Sequence, residues 1–399
     1  MPWRLPAYGT RSFDLLPGTV ERFLVGRTDR AALAPELLGP FGGTPFDRVA
    51  FVYLDAFGSR LAARHDRHPL LRRVATDGVA LEMTSQFPST TTAHTTTIHG
   101  GDAVGVHGLY EWFVYEPLVD RLIAPLLFSF AGDRDRGTLT LDRSAIYPPG
   151  SFYPGLAAAG VRSTVIQPRA LVSSPATRGH ARGASAVVGY ADPRDGLARL
   201  AAALADPGYA ILYLGQLDAL MHDVGPDDPA VDEATAAMLD VLDEGFRALP
   251  AGTLALLTAD HGMAPVSPDT TVYANVLWPE LEQHLRRGAD GKPLAPAGSC
   301  RDLFLHTLDD HAETVVDELA ARLDGRAEVA LTSKLVEDGV FGPTVSERLR
   351  ARLAEVVVLP FAGESVYWLE PGRFEQRYRG QHGGLAPVEM EIPLLALAS

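Results

Sequence analysis

Short apolar runs that stop abruptly at an aspartate set the rhythm of this 399-residue chain. The run at 49–54, Val-Ala-Phe-Val-Tyr-Leu, is continuous and β-rich, and it halts at Asp55. A half-exposed strand alternates apolar and polar positions; an unbroken run suits a strand buried on both faces of a parallel sheet. Similar runs recur at 161–166, 209–214, 254–258 and 356–359. Ala/Leu-rich stretches at 196–204 and 230–249 carry the helical pattern between them. Strands alternating with helices predict an α/β fold, a mostly parallel central sheet with helices on both faces. Ligand sites in such sheets lie beyond the carboxyl ends of the strands. Asp55, Asp218 and Asp260 all fall just after strand-like runs, so this topology gathers them.

The rhythm changes over residues of about 264–370. A strand at 301–307, an amphipathic helix at 311–323, a returning strand at 328–331 and a second helix at 345–354 predict a small α+β cap insertion. The chain then divides into 1–263, the first part of the core; 264–370, the cap; and 371–399, a return to the core. The Gly-, Pro- and charge-rich stretch 286–299 predicts an exposed loop.

Composition narrows the function. Thirty-five basic against fifty acidic residues leave a net charge of −15, which argues against a large basic surface for duplex nucleic acid and leaves room for a small local basic pocket. One cysteine, Cys300, rules out an internal disulfide and suits a reducing compartment. No stretch approaches the roughly 18 apolar residues of a membrane helix. The N-terminus also lacks the apolar run of a secretory signal. The sequence therefore predicts a cytoplasmic protein with a small-molecule partner and no membrane partner.

The chemistry lies in polar residues at the ends of the runs. Asp218 and His222 are four apart, a spacing that puts both on one helix face. Asp260-His261 sits at a strand end, where the turning chain allows neighbouring side chains to swing to one side. His382 stands between Gly380 and Gly383-Gly384, with room for close backbone approach. With Asp55 this makes three aspartates and three histidines, enough to hold two divalent metals with three ligands each. Each pair alone is weak evidence; their order along one βαβ scaffold is what carries weight. Between Asp55 and Asp218 comes a hydroxyl-rich turn, Phe87-Pro88-Ser89-Thr90-Thr91-Thr92-Ala93-His94, placed to offer a nucleophile.

As a set these stretches resemble the alkaline phosphatase superfamily, and within it the type I phosphodiesterase/nucleotide pyrophosphatase family. The matching segments are Val52-Tyr53-Leu54-Asp55, Phe87-Pro88-Ser89-Thr90-Thr91, Gly215 to Pro226, Thr258-Ala259-Asp260-His261-Gly262-Met263 and Gln381-His382-Gly383-Gly384. The resemblance implies an alkaline phosphatase-like core. It implies that Asp218, His222 and His382 bind one metal, and that Asp55, Asp260, His261 and the nucleophile bind the other. Thr91 matches the nucleophile position, with Thr90 and Thr92 as its immediate neighbours. Three residues on, where the resemblance implies a contact to a phosphoryl oxygen, this chain has His94. Mixed Asp/His ligands suit zinc, and three carboxylates also accept manganese or iron.

The implied activity is hydrolysis of phosphodiester or pyrophosphate bonds in nucleotide-like small molecules through a phosphothreonine. A phosphomonoesterase or phosphonate (C–P) hydrolase would use the same metals. A non-catalytic phosphate-binding or regulatory protein would keep the fold without turnover, but a residue suited to each ligand and nucleophile position argues against it.

Overall fold

Seven strands build the central sheet of the computed structural model, which describes residues 3–132, 138–289 and 291–399. Their order across the sheet is Val79–Thr84, Glu391–Ala398, Thr253–Thr258, Arg48–Leu54, Gly208–Leu214, Ser163–Pro168 and Ala186–Tyr190. Arg48–Leu54 lies at the middle, parallel to both Gly208–Leu214 and Thr253–Thr258. The sheet is mostly parallel; Glu391–Ala398 runs antiparallel to both its neighbours. All six residues of Thr253–Thr258 are buried, as the unbroken apolar pattern requires.

Helices cover both faces. Pro69–Asp77, Pro193–Ala203 and Pro229–Arg247 pack together on one side. Leu16–Val25, Thr91–Gly100 and Phe152–Ala158 pack on the other. Two of these helices begin with an Asp-Pro step: Asp192 Oδ accepts from the Asp195 amide, and Asp228 Oδ from that of Ala230. Each cap is worth about 1 kcal/mol, and proline at the first helical position gives up no needed donor. These caps fix the helix starts at 193 and 229, slightly earlier than apolar periodicity suggests.

A second hydrophobic cluster sits apart from the main one. Its backbone is a four-stranded antiparallel sheet ordered Ala297–Gly298, Leu303–Leu305, Val356–Pro360, Ala327–Leu331, against which the helix Ala312–Arg322 packs. The apolar run at 356–359, expected in the parallel sheet, therefore belongs here, between two antiparallel neighbours. A fully buried strand reads the same whatever covers it, so the pattern could not assign its sheet. The helix expected over 345–354 is only one turn, Glu347–Arg350, capped by Ser346 Oγ. The stretch expected as an exposed loop is partly interior: Leu294 and Ala297 are buried. Residues of 104–131 and 139–147, with the three-stranded sheet Val114–Glu116, Arg121–Ala124 and Ser129–Phe130, also pack into this second cluster. A buried ion pair, Arg352 to Glu116, joins the two stretches. No helix among the described residues is long and apolar enough to cross a membrane.

Candidate active site

The six predicted ligands meet at the carboxyl edge of the central sheet. Asp55 follows the middle strand, and its amide still bonds Leu214 O of the next strand at 2.9 Å. Asp218 lies in the first turn of the helix Gln216–Val224, which directly succeeds Gly208–Leu214, and His222 lies one turn on. Asp260 and His261 leave the end of Thr253–Thr258. The chain then pairs Ala264–Pro265 with Gly380–Gln381, which delivers His382 beside His261. A Cβ on Gly380 would meet Met221 O at 2.3 Å, so only glycine lets this segment close on the His222 helix.

Two groups result. Asp55, Asp260 and His261 offer ligand atoms within 4.8 Å of one another, as do Asp218, His222 and His382. The rings of His261 and His382 stack with centroids 3.6 Å apart, so the two groups adjoin. Each histidine donates from Nδ1 to a backbone carbonyl: His261 to Gly262 O at 2.9 Å, His222 to Gly380 O at 2.8 Å, His382 to Ser89 O at 2.9 Å. A carbonyl can only accept, so this fixes the tautomer and leaves each Nε2 facing its carboxylate partners. His261 Nε2 is 3.1 Å from Asp260, and His222 Nε2 is 3.4 Å from Asp218. Asp55 Oδ1 and Asp218 Oδ1 are buried with no hydrogen-bond partner. Orphaned carboxylate oxygens beside oriented imidazoles fit divalent cations, one in each group.

Electrostatics agree. Burial, then repulsion from Asp260 and Asp218, pushes the Asp55 carboxyl well above the usual range. Burial opposes the imidazolium of His261, but Asp260, at its side, raises it to about 10. Burial opposes the Asp260 carboxylate, but the charge and hydrogen bond of His261, with His94 and His382, together hold it well below the carboxylate range. The protein alone thus sets three crowded carboxylates around one protonated imidazole and drives Asp55 and Asp218 towards their protonated forms, a strain that cations relieve better.

Thr91 opens the helix Thr91–Gly100. Its Oγ1 is 3.3 Å from His261 Nε2, at the edge of the Asp55 group, and the residue is partly exposed. The amides of the first turn lie outside the helix's own ladder and are natural anion donors.

His94 requires a correction. Its Nδ1 donates to Thr90 O at 2.7 Å, and its Nε2 accepts from the Gln86 amide at 2.9 Å. Burial lowers its pKa to about 4, and the ring packs edge-on against Phe13. Both nitrogens are engaged inside the protein, so neither reaches a phosphoryl oxygen. His94 instead braces the turn before the helix Thr91–Gly100. His99 and His107 are likewise interior, bonded to Tyr153 Oη and Thr97 Oγ1.

Sequence reasoning missed the residues behind the ligands. Tyr53 Oη donates to Asp260 Oδ2 at 2.8 Å, and Tyr213 Oη to Asp55 Oδ2 at 2.6 Å. A tyrosine inside an apolar strand was the available signal, since a buried hydroxyl seeks an acceptor. Ser89 was also missed: its Oγ donates to Gly384 O at 2.8 Å and accepts from the Gly383 amide at 3.1 Å. One more feature is strain at Ala56, directly after Asp55, which sits at φ 60° with its amide on Asp260 Oδ1. Left-handed backbone costs an alanine about 1–2 kcal/mol.

Paired Asp/His groups at the carboxyl edge of a parallel sheet, with a hydroxyl at a helix start, define a class: α/β hydrolases of phosphoric esters. The chain belongs to the type I phosphodiesterase / nucleotide pyrophosphatase family, whose sequence model matches residues 49–384. Solved structures share the fold. Murine ectonucleotide pyrophosphatase/phosphodiesterase 5, an inactive form in complex with AMP, is 18% identical with a TM-score of 0.63, covering 88% of this chain and 87% of that one. Its human counterpart is 16% identical with a TM-score of 0.60, covering 88% and 87%. Phosphonoacetate hydrolase from Sinorhizobium meliloti, in complex with phosphonoacetate, is 18% identical with a TM-score of 0.59, covering 88% and 90%. No curated protein matches in sequence.

Proposed function

We propose that this enzyme hydrolyses phosphodiester or pyrophosphate bonds of nucleotide-like small molecules, through a covalent phosphothreonine on Thr91. The observation that carries the reading is Thr91 Oγ1 at 3.3 Å from His261, beside two adjoining Asp/His groups. Asp55, Asp260 and His261, with Thr91, would hold one divalent cation; Asp218, His222 and His382 would hold the other. When bound, such cations polarise phosphoryl oxygens and lower the pKa of an oxygen ligand by several units. Zinc suits the mixed ligand set best.

The chain's own residues do the rest. Thr91 Oγ1 attacks phosphorus, a P–O bond to Thr91 forms, and the bond to the leaving alcohol or phosphate breaks. The first-turn amides of the Thr91 helix take over the oxyanion contact that His94 cannot make. Water then attacks the phosphothreonine from the opposite side and frees Thr91. Two inversions leave the configuration at phosphorus retained. Residues 264–370 cap the site in this reading, and the single thiol suits the cytoplasm.

Thr91→Ala tests the reading. Hydrolysis should vanish while metal content stays near two per chain; turnover within tenfold of wild type overturns the nucleophile. A second reading, phosphonate or monoester hydrolysis, is favoured by the likeness to phosphonoacetate hydrolase. Comparing a bis-aryl phosphate with a mono-aryl phosphate and a phosphonate separates the two. Much faster turnover of the monoester or phosphonate would replace the diester assignment.

A further inference from the structure

We infer that Arg301 and Glu389 form a positioning pair that holds the two ligand-bearing loops in register, with the charge partner supplied by the inserted segment. The inference rests on the two-metal reading and adds residues to it.

Both side chains are fully buried, at 0% exposure. Arg301 Nε and Nη2 donate to the two carboxylate oxygens of Glu389 at 3.0 and 2.8 Å. Nη1 donates to Phe361 O and Glu364 O, both within the insertion. The fork of the guanidinium matches a carboxylate in a way a lysine ammonium does not. An unpaired carboxylate in such a place would take up a proton.

Glu389 reaches both loops. Its Oε1 accepts from the Gly384 amide at 3.0 Å, two residues after His382. Its backbone oxygen accepts from the Gly262 amide at 2.9 Å, one residue after His261. One residue therefore bonds the loops that carry a histidine of each group. Beside Arg301, Asp302 Oδ1 accepts from Ser299 Oγ at 2.6 Å, and that hydroxyl lies 3.0 Å from His382 O. Gly383 follows at φ 125°, where a Cβ would meet Asp302 Oδ1 at 2.5 Å. The insertion thus presses on the His382 loop at two points, and Glu389 passes the constraint to the His261 loop. Distortion of either loop would move Nε2 of its histidine and degrade both groups together.

A purely structural ion pair is the competing explanation, and buried pairs can often be exchanged for packed apolar residues without loss of stability. The test uses that fact. The full chain is prepared as wild type, Arg301→Met/Glu389→Leu, Glu389→Gln and Arg301→Lys. Zinc affinity is measured with a competing chelating dye, and backbone hydrogen exchange is followed in the metal-free protein. The folded double variant should bind zinc roughly 10–100-fold more weakly, and its Gly384 peptide should exchange at least tenfold faster. Wild-type affinity and exchange in that variant overturn the inference. If it does not fold, Glu389→Gln and Arg301→Lys decide, with about a tenfold affinity loss expected and unchanged affinity overturning the pair's role. Wild-type protein that binds no zinc would instead refute the two-metal reading, and the exchange data would still judge the clasp.

Discussion

The two ligand groups differ in depth. Asp55, Asp260 and His261 are at most 1% exposed, whereas Asp218 and His222 show 18% and 19% of their side chains to solvent. The sealed group sits beside Thr91 and is braced by Tyr53, Tyr213 and the Ala56 amide. The open group is carried by a surface helix and by the loop after Gly380. Burial strengthens charge interactions; in the proposed mechanism, exposure would serve the side where a product leaves and water arrives.

The strongest way to break this comparison is Asp260→Asn. It removes the charge facing His261, so the sealed group should lose its metal and turnover should fall at least about a thousandfold. The open group should keep its metal in elemental analysis; loss of both metals would mean the groups are one unit. A smaller effect is expected of Tyr53→Phe and Tyr213→Phe. Each frees a buried carboxylate oxygen and should weaken one of two metal-binding steps by about 10–100-fold, leaving the other unchanged in titration.

His94→Leu sharpens the line between bracing and chemistry. The Gln86 amide and Thr90 carbonyl lose their partner, so urea unfolding should show a loss of about 1–3 kcal/mol. KM and turnover per folded molecule should change far less than in Asp260→Asn; a selective collapse of turnover would return His94 to the reaction. The smallest effect concerns acid. Burial lowers His306 to about 3, and neither of its ring nitrogens has a hydrogen-bond partner. Its folded pKa lies below the unfolded value, so the unfolded chain binds more protons and stability falls as pH drops below about 6.5. His306→Gln should flatten that fall by about 1–2 kcal/mol between pH 6.5 and 5, measured by urea midpoints. An unchanged slope would shift acid sensitivity to the ligand groups.

Local motifs made much of the site legible. Asp218 and His222 need only a helix, and Asp260-His261 only a strand end, so each carries its geometry within a few residues. The strands at 49–54, 209–214 and 254–258 were readable for the same reason: length and unbroken apolarity identify a covered strand. The run at 356–359 was read as a covered strand but placed in the wrong sheet, because burial on both faces looks the same in either sheet. Glu391–Ala398 escaped, although it fills a place beside Thr253–Thr258.

By itself the sequence determined the parallel α/β core and singled out six candidate ligands and a hydroxyl at a helix start, because short-range pattern encodes strand ends and helix starts. Tertiary structure alone decided that both His94 nitrogens are spent inside the protein, that Tyr53 and Tyr213 orient the carboxylates, and that Glu389 and Arg301 bridge the loops. The tyrosine contacts and the Arg301–Glu389 pair join residues 88 to 207 positions apart, the His94 bonds only four and eight, and burial, which sets the strength of all of them, is a property of the folded whole.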